Sequence, residues 1–102
     1  MNNKISIPNI EFRRRLNNLV YIFRPCGSIN KMPAWKREDI DLWVKYSTEY
    51  GWVCVDTNET IMAMPWPCKR SEHISLPPAG EWVSKKEDKS YVYDLVFTKS
   101  DI

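Results

Sequence analysis

Apolar side chains recur at two different periods along this chain of 102 residues. Between Asn9 and Arg24, the residues Phe12, Leu16, Leu19, Val20 and Phe23 fall at i, i+4, i+7, i+8 and i+11, the spacing of one helical face. Arg13, Arg14, Asn17, Asn18, Tyr21 and Arg24 take the opposite face, with Arg15 at its margin. Asn9 suits the N-cap of such a helix, and Pro25 with Gly27 would stop it. A rival reading makes Asn17-Asn18 a turn into a strand over Leu19 to Arg24, a stretch rich in β-branched and aromatic residues. The longer register favours the helix. A second helix is expected from about Trp35 to Tyr50, where Ile40, Trp43, Val44, Ser47 and Tyr50 form a stripe widened by Leu42 and Tyr46. Glu38, Asp39 and Asp41 lie in its early turns, where the helix dipole favours acids, and Gly51 sits where a left-handed cap belongs.

Beyond Gly51 the chain reads as β-structure. Residues 52–56 and 60–64 flank Thr57-Asn58-Glu59 and predict a hairpin, ended by Pro65-Trp66-Pro67 because proline cannot donate to a ladder. Residues 81–84 and 90–98 predict a second hairpin around the charged tip 85–89. In its last strand Tyr91, Tyr93, Leu95 and Phe97 share one face and Val92, Asp94 and Val96 the other. On the strand before Pro65, the Met62 and Met64 face is the larger and the better core candidate; Trp66 is expected to be partly exposed. The predicted fold is a single α+β domain over residues 1–102, two α-helices packed on one face of an antiparallel sheet of about four strands. Residues 1–8 and 99–102 are set off as terminal segments.

Composition changes this picture little. At 43% hydrophobic and 27% charged residues the chain resembles an ordinary globular domain. The five Trp, five Tyr and three Phe matter more, because they exceed what one small core readily absorbs and leave aromatics for binding surfaces. No apolar run approaches the length of a membrane span, and the first residues lack a signal-peptide core, so a cytoplasmic location away from membranes is expected. Cys26, Cys54 and Cys68 are odd in number and widely spaced, which suits reduced thiols, with Cys54 in the core.

Charge is the more informative property. Residues 1–37 carry eight basic side chains against one acid, and residues 38–102 carry seven against twelve, so a near-neutral total hides a basic end and an acidic remainder. Such asymmetry points to an acidic or polyanionic partner. Arg13, Arg14, Arg15, Asn17, Asn18, Tyr21 and Arg24, with Trp66, are the candidate contact residues: guanidinium forks suit phosphate or carboxylate, Asn can bond phosphate or base, and Tyr can stack. A solvated face, neutralised by the chain's own acids, is the plainer alternative. Three Cys and His73 could in number make a zinc site, but no C-x-x-C knuckle is present, and neither a metal nor a cofactor is expected. Cys68 near His73 is a weak nucleophile pair in a chain with one His and three Gly, so no enzyme activity is expected. The expected function is a small non-catalytic binding protein acting stoichiometrically on a protein or nucleoprotein partner, an accessory factor or inhibitor of the size that phages and mobile elements encode. Direct DNA or RNA binding through the Arg-rich segment is the alternative.

Overall fold

The computed structural model describes residues 7–68, 75–86 and 88–99. It contains eight strands and, among the described residues, no helix: β1 (Asn9–Arg14), β2 (Val20–Ile29), β3 (Met32–Arg37), β4 (Trp43–Ser47), β5 (Gly51–Val55), β6 (Ile61–Met64), β7 (Gly80–Lys86) and β8 (Lys89–Thr98). Each strand pairs antiparallel with its sequence neighbour, and β1 pairs with β8, closing the sheet into an up-and-down barrel. The α+β expectation is therefore overturned, and with it the basic helix: both expected helices are pairs of strands.

The physical reason lies in the turns. Arg15–Asn17 reverse the chain, Asn18 adopts a left-handed φ of 59°, and Arg14 N donates to Leu19 O at 2.7 Å. Asn tolerates that conformation better than most residues. The apparent i, i+4 spacing of Phe12, Leu16, Leu19, Val20 and Phe23 arises from two strands in different phases joined by this turn. In register, Phe12 faces Tyr21 and Ile10 faces Phe23. Pro25 and Gly27 end no helix but sit within β2 at a register shift between Pro25 and Ser28, where a bulge tolerates both. The second expected helix is split between β3 and β4 by residues 38–42. Gly51 does take the left-handed region, at φ 82°, but opens a strand instead of capping a helix.

The two expected hairpins are present as β5–β6 and β7–β8, with Tyr91, Tyr93, Leu95 and Phe97 on the core-packing face of β8. The second runs further than expected, since Lys85, Lys86 and Lys89 of the expected tip are paired in the ladder. On β6 the face is reversed: Ala63 joins the core, while Met62 and Met64 are half-buried. Small Ala63 is the inward residue because Cys54 and Ser84 flank it in register.

Eight strands enclose a space just wide enough for side chains to fill. Phe12 sits near its middle, with edge-on ring contacts to Phe23 (5.2 Å), Trp82 (5.1 Å) and Tyr93 (6.1 Å). Trp35, Trp52 and Trp82 are fully buried. Trp35 Nε1 donates to Pro8 O and Trp82 Nε1 to Pro78 O, each at 2.8 Å. Those bonds, with buried Pro77 and partly buried Leu76, fill the end of the barrel where β1 and β7 begin. The opposite end, carrying the β1–β2, β3–β4, β5–β6 and β7–β8 turns, remains open.

Candidate functional site

The open end holds a cavity of about 250 Å³. Short side chains create it: Ala63 and Ser84 face each other in register on β6 and β7 and leave the volume that longer residues would fill. Phe12, Phe23, Cys54, Met62 and Ala63 line its apolar part. Arg14, Arg37, Tyr21, Tyr91 and Tyr93 line the rest, with Ile40, Leu42 and Lys85 also contributing.

Arg14 is the last residue of β1 and lies on the same face as Ile10 and Phe12, so strand alternation carries its guanidinium inward. It is held by tyrosines. Nε and Nη2 donate to the Tyr93 hydroxyl at 3.0 and 2.7 Å, and Nη2 donates to the Tyr21 hydroxyl at 3.3 Å. The guanidinium carbon lies 4.3 Å from the Tyr91 ring centre, 5.3 Å from that of Tyr93 and 5.8 Å from that of Tyr21. Cation–π attraction of this kind strengthens where water is excluded. The bond to Tyr93 raises the Arg14 pKa above its ordinary value, so the side chain is a fixed positive charge. No carboxylate pairs with it among the described residues.

The other arginines of the described chain differ on that point. Arg13 pairs with Glu11 at 2.9 Å, and Arg24 with Glu38 at 3.1 Å. Arg15 bonds Asp94 at 2.7 Å and Glu81 at 3.2 Å, and its hydrogen bonds hold the Asp94 carboxyl below its usual range. Arg37 enters the cavity, 3.7 Å from the Tyr21 ring centre, but its Nη2 donates to Asp39 Oδ2 at 2.9 Å. Its Nε lies 2.6 Å from Asp39 Oδ1, off the line of a hydrogen bond. The hydrogen bond from Arg37 holds the Asp39 carboxyl below the usual carboxylate range. Lys36 likewise meets Asp41 at 3.4 Å. The basic N-terminal segment is thus largely neutralised by carboxylates that the fold brings beside it.

Of the eight residues expected at a contact surface, the structure brings Arg14 and Tyr21 together in the cavity. Arg13, Arg15 and Arg24 are exposed and ion-paired. Asn17 and Asn18 belong to the β1–β2 turn, where Asn17 Oδ1 accepts from Leu19 N at 3.3 Å. Trp66 follows β6 at the other end of the barrel and is 65% exposed. Arg37, Tyr91, Tyr93 and Lys85 were missed; the pairing of Tyr91 with Tyr93 on one strand face was the available signal.

Cys54 is buried, Cys68 half-buried and Cys26 exposed. His73, the other half of the metal and nucleophile candidates, lies outside the described residues, as do residues 1–6, Glu87 and the tail 100–102. Among the described residues no cluster of His, Cys, Asp and Glu is arranged to hold a metal ion, and no helix is long and apolar enough to cross a membrane. No protein-family model, no curated protein and no solved structure matches the chain.

Proposed function

We propose that this is a non-catalytic binding protein whose working end is the barrel mouth, and that its ligand presents an anionic group on an apolar body. One observation carries the reading. Among the described arginines, Arg14 alone has tyrosines in place of a carboxylate, and it faces a cavity with an apolar floor. A guanidinium held in place by tyrosines, with no carboxylate beside it, offers a counter-ion charge-assisted hydrogen bonds without a partner to displace. A convergent polar group above an apolar lining is also the usual form of a small binding pocket.

The expected partner class, a protein or nucleoprotein, fits this reading when the anion belongs to that partner. A polyanion gripped along the Arg-rich segment is favoured less, because Arg13, Arg15, Arg24 and Arg37 already meet carboxylates.

Two-dimensional amide NMR with benzoate and benzyl alcohol tests the mouth. Benzoate should shift amides at the ends of β1, β3 and β8 near the cavity. Its neutral counterpart should act far more weakly, and Arg14→Gln should remove the difference. Equal effects of the two probes, or shifts mapping away from the mouth, would sink the proposal.

A further inference from the structure

We infer that the anion received in the mouth is the C-terminal carboxylate of a polypeptide, with the apolar side chain of its last residue seated in the cavity. This rests on the reading of the mouth given above. Charge comes first. Asp39 meets the charge of Arg37, which among the described residues leaves two cations lining the cavity, Lys85 at the exposed lip and, less exposed and held by the tyrosines, the single positive charge of Arg14. A carboxylate matches it with one negative charge, whereas a phosphate monoester carries about −1.5 to −2 at neutral pH.

The donors are poised for such a group. The Tyr93 oxygen accepts two N–H bonds from Arg14, which leaves its own O–H to donate. Arg14 Nη1 takes no part in the tyrosine bonds. Beneath them Phe12, Phe23, Met62 and Ala63 require an apolar body within a few bonds of the charge. Asp and Glu side chains carry no such body. A C-terminal residue does, because its carboxylate and side chain share one Cα.

The rim argues for a chain over a free small acid. Leu16, Leu19 and Val20 around the β1–β2 turn and Ile40 between β3 and β4 are exposed at the mouth end, Leu16 to 77%. A small acid filling about 250 Å³ would leave that rim bare. A polypeptide leaving the mouth from its C-terminus passes across it, and exposed apolar patches of this kind mark protein contacts.

Fluorescence polarisation decides the matter. The full chain is titrated into a labelled peptide ending in Phe with a free carboxylate, the same peptide amidated, and the same peptide extended by two glycines. The acid should bind about tenfold or more tighter than the amide or the extended form, the scale of a charged hydrogen bond. Arg14→Gln should abolish that preference, Arg13→Gln on the outer face should keep it, and Tyr93→Phe should reduce it several-fold. Tyr93→Phe retains the ring, so it serves where Arg14→Gln fails to fold. Equal binding of acid and amide overturns the inference. So does N-acetylphenylalanine competing as strongly as the peptide, or a phosphotyrosine peptide binding best. If benzoate maps to the mouth while no peptide discriminates, this inference falls and the mouth reading stands; if neither binds, both fall.

Discussion

Cys54 occupies the cavity floor, and burial pushes its thiol up to about 12, against a small opposing effect of the Arg37 charge. The sign of the linkage follows. The folded chain keeps this proton over a range in which the unfolded chain, at about 9.0, has lost it. The stability contribution is therefore intact below pH 9 and is lost as pH rises toward 12, at about 1.4 kcal/mol per pH unit. Urea titrations of wild type and Cys54→Ala should diverge in that alkaline window, the variant losing stability less steeply. Iodoacetamide at neutral pH should label exposed Cys26 well before Cys54. Burial of Cys54 was legible from its place in the apolar run Trp52-Val53-Cys54-Val55, all of it buried. The inward direction of Arg14 was not, because a charged residue on a core face breaks the alternation by which a strand is recognised. Arg14 and its neighbour Arg15 look alike as sequence. Only the strand pairing sends one to Tyr93 and the other to Asp94.

Elements were legible where polar turn residues separated runs that read as strands. The β5–β6 and β7–β8 hairpins meet that condition, β5 as a wholly buried apolar run and β8 by alternation. Asp56 supports the first of these turns, its Oδ1 accepting from Asn58 N and Thr60 N at 2.9 Å. The first four strands do not, although only Asn30 and Lys31 separate β2 from β3. Their inward faces mix Arg14 and Arg37 with apolar residues, and their turns carry Leu16, Leu19 and Ile40, so apolar positions fall in a helix-like order. The β1–β2 turn offers a direct check. Asn18→Val forces a β-branched residue into a left-handed conformation and should cost about 1–2 kcal/mol, while Asn18→Gly should be neutral or slightly stabilising. Chemical denaturation midpoints measure both. A helix over this segment would give the opposite order, since glycine weakens helix interiors more than valine does.

At the scale of the whole molecule, closure converts a lopsided sequence into an interleaved surface. Arg15 on the β1–β2 side meets Glu81 and Asp94 of β7 and β8, which lie more than half the chain away. Surface pairs of this kind add little stability, but they cancel the field that a polyanion would follow. Anisotropy with labelled DNA and RNA should accordingly show weak binding at physiological ionic strength, and Arg24→Glu should change it little. Tight, salt-sensitive binding would contradict the account. The barrel was illegible at this scale because nothing local announces that β8 returns to β1. That seam, from Asn9 opposite Thr98 to Arg14 opposite Tyr93, is the one pairing between strands distant in sequence. Its loop-closure entropy is large, so neighbouring hairpins can form early while the seam zips last and parts first. Arg14 and Tyr93 are its final rung. Whatever seats on them therefore also acts as a clasp: occupancy of the mouth should slow hydrogen exchange along β1 and β8 while leaving β4 and β5 as they were.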